Sequence, residues 1–251
     1  MKKIYFLLAI LLMISPLWIY AQPEGTIIYT ESVSFDFEAP EGMEDMFKDM
    51  PKSRSSDKKL IFKEGKSLYK VEKSEDFEHE GTVDSEHATS VFKIKIHEPD
   101  NRTYSDLNEG KVVAQQELMG KTFLIKDDLK KFDWKVSSDR RKILDYECMK
   151  ATATDDEHQI TAWFTPQISL GIGPGSYNGL PGAILMIETD EGSREIVAKE
   201  VSLSTVDVAE MVIPDKGKKV NREKFKAIEK EKMEEMESIN GGPGVRMIIR
   251  N

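Results

Sequence analysis

The sequence predicts a mainly β protein: a curved antiparallel sheet or half-barrel with a short inserted helix and a C-terminal amphipathic helix. Three observations favour this fold class. Apolar and polar residues alternate with a period of two along most of the chain, turn residues separate these runs, and only two segments have helical spacing. With 251 residues, 39% of them hydrophobic, the chain can bury one full core, so we expect a single β-rich domain.

The N-terminal segment predicts export. Residues 1–3 include two lysines, residues 4–20 form a mostly apolar run, and the small residue Ala21 follows that run. This order is typical of a cleavable signal peptide, so we expect residues 1–21 to be removed and residues 22–251 to form the mature domain in the periplasm or cell envelope. A membrane anchor is the alternative, but the run is short for the ~20 apolar residues that a spanning helix needs. After cleavage we expect no membrane-spanning segment.

The mature domain begins with predicted strands. Alternation predicts the first strand at residues 26–37 and a hairpin over residues 60–71 with its turn at Gly65. A second hairpin is expected over residues 91–107, whereas the acidic residues 74–86 predict a polar loop or a long strand connection. Further strands are expected at residues 112–118, 123–125, 134–136, 146–153, 160–164, 183–188 and 194–204.

Two segments have helical spacing instead. Residues 40–51 carry apolar side chains three or four positions apart, which predicts a short inserted helix that either packs on the sheet or serves as a ligand lid. Asn221 can cap a second helix that runs to residue 240, with Gly241 as its stop signal. If both apolar stripes face a curved sheet, they line an apolar ligand groove formed by Met43, Met46, Phe47, Met50, Phe225, Ile228, Met233 and Met236.

Charge excludes one large class of partners. Lys and Arg total 36 and Asp and Glu total 45, which gives a formal net charge of -9. An acidic chain of this kind is not expected to bind the phosphate backbone of a nucleic acid or an anionic membrane surface without specific contacts. We therefore expect no nucleic-acid partner.

Little in the sequence predicts catalysis. None of the four histidines has a metal-binding spacing such as H-E-x-x-H, although His79 and His87 share one polar segment and leave a weak surface metal site as an alternative. The single cysteine, Cys148, lies in a strand pattern and is expected to be a small core residue, and Ser176 lacks the G-x-S-x-G context of a nucleophile. We therefore expect no enzymatic activity, no catalytic residue, no metal and no cofactor.

The most distinctive segment is rich in glycine and proline. Five of the 16 glycines lie between positions 171 and 182. Such a segment is either a binding loop or a rigid crossover between two strands, and we expect Gly179 or Gly182 to hold a positive φ. The residues that define this motif are Trp163, Pro166, Gly173, Pro174, Gly179, Leu180, Pro181 and Gly182.

Residues 179–184 read Gly-Leu-Pro-Gly-Ala-Ile, which resembles the signature of the GLPGLI family of exported Bacteroidetes proteins, with Ala183 where the signature has leucine. The resemblance covers most of the mature chain and is clearest over residues 134–190. It implies an exported cell-envelope protein with no established enzymatic activity, often associated with outer-membrane transport systems. It carries over no catalytic residue.

Two functions of different class follow. The first is a non-enzymatic envelope protein that binds an apolar ligand, namely a lipid acyl chain or an apolar exported polypeptide, in a groove of the sheet. The second is an accessory protein with a filled core, whose surface contacts an outer-membrane transport protein. An exported hydrolase of unrecognised type is a third alternative. An open apolar groove favours the first function, and a packed interior favours the second.

Overall fold

The computed structural model describes residues 23–38, 52–74, 77–85, 88–155, 158–189, 192–239 and 246–249. The predicted signal peptide, residues 1–21, lies outside these ranges, as does the predicted inserted helix with Met43, Met46, Phe47 and Met50. The described part is mainly β, which confirms the predicted fold class.

The chain forms fifteen strands and one α-helix within these ranges. The strands are β1 Gly25–Glu38, β2 Ser53–Lys63, β3 Lys66–Lys73, β4 Phe77–Ser85, β5 Ala88–Ile96, β6 Arg102–Asp106, β7 Lys111–Leu118, β8 Lys121–Asp128, β9 Lys135–Ile143, β10 Tyr146–Asp155, β11 His158–Thr165, β12 Ala183–Thr189, β13 Arg194–Ser202, β14 Lys218–Val220 and β15 Arg246–Ile249. The helix, α1, spans Arg222–Ile239.

Most of the strands belong to one open sheet. Its order is β14-β8-β7-β6-β3-β2-β1-β13-β12-β11-β10-β9, and β15 pairs with the end of β1. The pairs are antiparallel except for β14 beside β8, which is parallel. Because β14 and β9 do not pair with each other, the sheet does not close into a barrel.

Chain connectivity requires this sheet to curve. Strand β9 lies ten strand-to-strand steps from β8 in the sheet order, which would separate the two strands by about 48 Å in a flat sheet. The six residues 129–134 that join them span at most about 24 Å. The sheet therefore curls so that its two ends approach each other, as the sequence predicted.

One face of the sheet, which we call the inner face, carries the main core. Along β1 and β2 the paired residues Ile27 and Leu60 lie on this face and are fully buried. The hydroxyl of Tyr29, on the same face, donates to the carbonyl oxygen of Ile184 at 2.7 Å. Segment 166–182, which we call the motif loop, lies over this part of the face and adds the buried side chains Ile168, Leu170, Ile172 and Leu180.

Helix α1 covers another part of the sheet, at β7, β8 and β14. It begins as predicted, because the side-chain oxygen of Asn221 accepts a hydrogen bond from the backbone nitrogen of Lys224 at 2.9 Å. Phe225 anchors the helix by packing edge-on against Phe123, with ring centroids 5.4 Å apart. Val220 belongs to the same small core.

Two local predictions are wrong. The acidic segment predicted to be a polar loop or a long strand connection contains strand β4, and the hairpin predicted over residues 91–107 does not form. Strand β5 pairs with β4 in a separate two-stranded sheet, while β6 pairs with β3 and β7. Only two residues separate β4 from β5, so this hairpin closes a shorter loop than a β5–β6 hairpin would. A two-stranded hairpin needs no extensive apolar face. Strand β4 therefore has no apolar alternation from which the sequence could predict it.

Candidate functional site

The motif loop is held by close backbone contacts. Gly179 has a φ of +89°, which confirms the prediction of a positive φ at Gly179 or Gly182. A Cβ at Gly182 would lie only 2.1 Å from the carbonyl oxygen of Thr165, so no side chain fits there. The indole nitrogen of Trp134 donates to the carbonyl oxygen of Asn178 at 2.8 Å and ties the loop to the β8–β9 connection.

The other motif residues occupy different environments. Trp163 is half-buried in β11 and stacks under the guanidinium of Arg141, whose carbon lies 5.0 Å from the ring centroid. Pro166 and Pro181 are exposed, whereas Pro174 and Leu180 are buried. Gly173 is also buried, and a Cβ there would lie 2.8 Å from the Cδ1 of Ile184.

A polar cavity of about 330 Å³, which we call the interior cavity, opens on the inner face beside the motif loop. The motif loop contributes residues 175–177 to its wall, and α1 contributes its first residue, Arg222. The other lining residues come from the strands and from the β5–β6 connection. They are Glu31, Val33, Arg54, Ser56, Lys58, Tyr69, Glu98, Asn101, Thr103, Gln116, Asp155 and Arg194.

Five of these residues form a continuous ion-pair network. Arg194 contacts Glu31 through Nη2 at 2.6 Å and through Nε at 2.7 Å. Lys58 lies between two carboxylates, 3.7 Å from Glu31 and in direct contact with Glu98. Arg54 completes the network, with its Nη2 atom 3.2 Å from Glu98. Three cations therefore face two carboxylates.

The network is largely shielded from water. The side chains of Lys58, Glu31 and Glu98 are 8%, 11% and 13% exposed. Burial opposes the charge of Arg194, but the neighbouring Glu31 outweighs this effect and raises the pKa of Arg194 above its usual value. The side chain of Arg194 is less shielded, with 41% of its surface exposed to solvent.

Tyr69 is the least satisfied polar residue of the cavity wall. The residue is only 8% exposed, and its hydroxyl has no hydrogen-bond partner among the described residues. Burial, followed by the nearby Glu31 carboxylate, raises the pKa of Tyr69 well above its usual value, so the phenol stays protonated as a donor. The Nη2 atom of Arg54 likewise lacks a partner with hydrogen-bond geometry in this part of the chain, despite its ion pair.

A second, apolar site lies between α1 and the β7–β8 hairpin. We call it the α1 groove, and it has a volume of about 780 Å³. Its apolar lining comprises Leu118, Met119, Phe123 and Ile228, and its remaining lining residues are Lys121, Thr122, Lys218, Glu231, Lys232 and Glu235.

The residues predicted to form the apolar ligand groove are thus divided. Ile228 lines the α1 groove, whereas Phe225 is buried beneath the helix against Phe123. Met233 is 42% exposed and is not among the groove-lining residues. The side chains of Met43, Met46, Phe47, Met50 and Met236 lie outside the described part of the structure.

Sequence reasoning missed the interior cavity. The predicted second strand began at residue 60, but β2 begins at Ser53. Its polar half places Arg54, Ser56 and Lys58 on the same face as the buried Leu60. The strand period alone could have shown this, because residues two positions apart share one face.

Cys148 is a core residue, as predicted. Its side chain is fully buried in β10, and its Sγ atom donates a weak hydrogen bond to the carbonyl oxygen of Tyr146 at 3.6 Å. Burial raises the pKa of Cys148 to about 11, which keeps the thiol protonated near neutral pH.

The described residues lack two further kinds of feature. No cluster of three or more histidine, cysteine, aspartate or glutamate side chains is placed to hold a metal ion in those ranges. Among the helices of the described ranges, none is both long enough and apolar enough to cross a membrane.

Comparison with protein families gives one match of unknown function. Residues 152–186 match a family model described as "Protein of unknown function (Porph_ging)". The matched segment runs from β10 through the motif loop into β12. No curated protein matches the chain.

Comparison with solved structures finds a similar fold. A structure of PNGF-II in space group P21 superposes with a TM-score of 0.51 and 17% sequence identity, covering 82% of this chain and 32% of that chain. A second PNGF-II structure, in space group C2, gives a TM-score of 0.47 at 17% identity and covers 79% of this chain and 32% of that one. The present chain therefore spans about a third of the length of PNGF-II. At this level of identity the likeness concerns the fold alone.

Proposed function

We propose that this protein is a non-enzymatic, exported protein of the cell envelope that binds a lipid acyl chain in the α1 groove. The α1 groove itself carries this proposal, because its apolar lining remains open between the helix and the sheet. Its volume of about 780 Å³ lies within the range of small-molecule binding sites. The apolar leader at residues 4–20 and the GLPGLI-like motif at residues 179–184 support export and membership of the GLPGLI family.

The lining of the groove suits an amphiphilic ligand. Leu118, Phe123 and Ile228 offer apolar contact, while Lys121 and Lys218 can lay their aliphatic stems along a chain and keep their ammonium groups in water. Each methylene moved out of water contributes about 0.8 kcal/mol, so six methylenes contribute about 5 kcal/mol before the costs of association are subtracted. This gain is enough for a measurable affinity.

Titration with a fluorescent fatty acyl probe tests the proposal. We expect saturable binding to the wild-type protein and a loss of about tenfold in affinity in Ile228→Ser, which replaces an apolar wall with a hydroxyl. Met233→Ser is the matched control, because Met233 lies on the same helix but does not line the α1 groove. The proposal fails if the wild-type protein shows no saturable binding, or if the two variants behave alike.

A second function is an accessory role beside an outer-membrane transport protein. The motif loop fills much of the inner face, as a packed interior requires. In addition, segment 203–213 exposes the large apolar side chains Leu203, Val208, Val212 and Ile213. Exposed apolar groups of this kind are common at contacts between proteins. If the acyl probe does not bind, cross-linking in the native envelope should capture a membrane protein, and Val212→Asp should reduce that capture.

A further inference from the structure

The interior cavity is a site of a different chemical kind from the α1 groove. Its ion-pair network contains Arg54, Lys58 and Arg194 but only two carboxylates, Glu31 and Glu98, so it holds one excess positive charge. An uncompensated charge in a shielded network is unfavourable, and an anion placed beside it would compensate it.

The other charged residues of the cavity wall leave this excess in place. Arg222 lies near the carboxylates of Asp127 and Glu229, which do not line the cavity, and the carboxylate of Asp155 is paired with Lys130. The cavity is therefore locally cationic, although the whole chain carries a net charge of -9. Local charge, rather than total charge, decides which ligand is favoured at contact distance.

Two buried donors in the same wall make no hydrogen bond to the described residues. The hydroxyl of Tyr69 has no partner there, and the Nη2 atom of Arg54 lies 3.2 Å from the Glu98 carboxylate without hydrogen-bond geometry. A buried donor without a partner is destabilising, and an acceptor oxygen from a ligand removes that cost. Carboxylate and phosphate groups supply such oxygens together with the negative charge, and a guanidinium binds both kinds of group.

The remaining wall indicates the size and the other groups of the ligand. The volume of about 330 Å³ corresponds to about eleven water molecules, so a molecule of about twelve non-hydrogen atoms fits. Uncharged side chains that can both donate and accept hydrogen bonds complete the lining, and they suit hydroxyl groups. These side chains are Ser56, Asn101, Thr103, Gln116 and Ser176.

We infer that the interior cavity binds a small hydroxyl-bearing molecule through a single carboxylate or phosphate group, which Arg54, Lys58 and the Tyr69 hydroxyl hold. Arg194 lines the cavity and is 41% exposed, so the acidic group of a ligand can reach the network from solvent. This inference is independent of the acyl chain proposed for the α1 groove, because the two sites share no lining residue.

Calorimetric titration of the full chain with three sugars built on the same pyranose ring tests this inference. The probes are D-glucuronate, which has a carboxylate, D-glucose 6-phosphate, which has a phosphate, and neutral D-glucose. At constant ionic strength we expect at least one anionic probe to bind about tenfold more tightly than glucose, and the tighter of the two identifies the acidic group. If neither anion binds more tightly than glucose, the inference is wrong.

Two variants locate the binding. Tyr69→Phe keeps the ring but removes the unpartnered hydroxyl, so we expect a lower affinity for the anionic probe with no loss of thermal stability. Arg54→Met should lower the affinity for the same probe by about tenfold. Lys111→Met is the matched control, because Lys111 pairs with Asp128 at the surface and does not line the cavity. Full affinity in both Tyr69→Phe and Arg54→Met would place the anion elsewhere and overturn the inference.

Discussion

Helix α1 contributes residues to both the interior cavity and the α1 groove, yet the two sites have opposite chemistry. Arg222, the first residue of the helix, lines the cavity, and Ile228 lines the groove. Strand β7 shows the same change, because Gln116 faces the cavity and Leu118, two residues further along, faces the groove. The inner face is continuous across the strands. The side chains that point to it decide whether a given part of it favours a charged or an apolar ligand.

The difference between the two sites has a measurable consequence. Salt screens the attraction between an ion in solution and a partly exposed network, whereas it does not weaken the burial of methylenes. We therefore expect added salt to lower the affinity of a ligand for the interior cavity and to leave the affinity of a ligand for the α1 groove unchanged.

The largest expected effect comes from the motif loop, which forms part of the cavity wall but not of the groove. Gly182→Ala would force a Cβ to within 2.1 Å of the Thr165 backbone, so we expect a loss of about 3 kcal/mol in the free energy of unfolding. Chemical denaturation measures this loss. Gly175→Ala is the control, since Gly175 has a φ of +60° but open space around it, and we expect it to cost only about 1 kcal/mol. Equal losses in the two variants would contradict the steric explanation.

A smaller effect is expected at the centre of the ion-pair network. Glu31→Gln removes the carboxylate that both Arg194 and Lys58 contact and leaves three cations beside Glu98 alone. Because these side chains are largely buried, we expect a loss of about 2 kcal/mol in the free energy of unfolding. Lys111→Met, which breaks an exposed pair, should change it by no more than about 0.5 kcal/mol. If Glu31→Gln is as mild as that control, the network does not stabilise the cavity.

Helix α1, which lines both sites, should lose stability when its N-terminal cap is removed. Asn221→Ala removes the acceptor for the Lys224 amide and is expected to cost about 1 kcal/mol. Melting curves followed by circular dichroism measure this change. Asn221→Ser retains a capping oxygen and should restore most of the lost stability. A serine variant no more stable than the alanine variant would argue against the cap.

The smallest effect concerns the rate of chemical labelling at Cys148, in the packed core. The pKa of Cys148 is raised to about 11 by burial, so the thiolate needed for alkylation is scarce near neutral pH. We expect slow labelling at about pH 7 that speeds up as the pH rises toward the raised pKa. Mass spectrometry after timed alkylation gives the rate. Rapid native labelling at neutral pH would show that the core opens.

The sequence predicted the features that depend on local signals. The alternation around Ile27 and Leu60 predicted strands with one buried face, because a strand places every second side chain on the same face. Asn221 and Phe225 likewise predicted α1 correctly, since a cap and an apolar stripe are local signals.

The interior cavity could not be predicted in the same way. Glu31 and Arg194 are 163 positions apart, and only the pairing of β1 with β13 brings them together. The polar half of β2 gave no apolar signal, so Lys58 was not assigned to a strand. The position of Met233 outside the groove lining also depends on how α1 rotates on the sheet, and helical spacing alone does not determine that rotation.

The most direct test of two separate sites compares two ligands with two variants. The dissociation constants of a fluorescent acyl probe and of the tighter anionic sugar are measured for the wild-type protein, Ile228→Ser and Arg54→Met. We expect Ile228→Ser to lower only the affinity for the acyl probe and Arg54→Met to lower only the affinity for the sugar, each by about tenfold. The claim of two separate sites is contradicted if either variant lowers the affinity for both ligands equally, or if saturating sugar displaces the acyl probe.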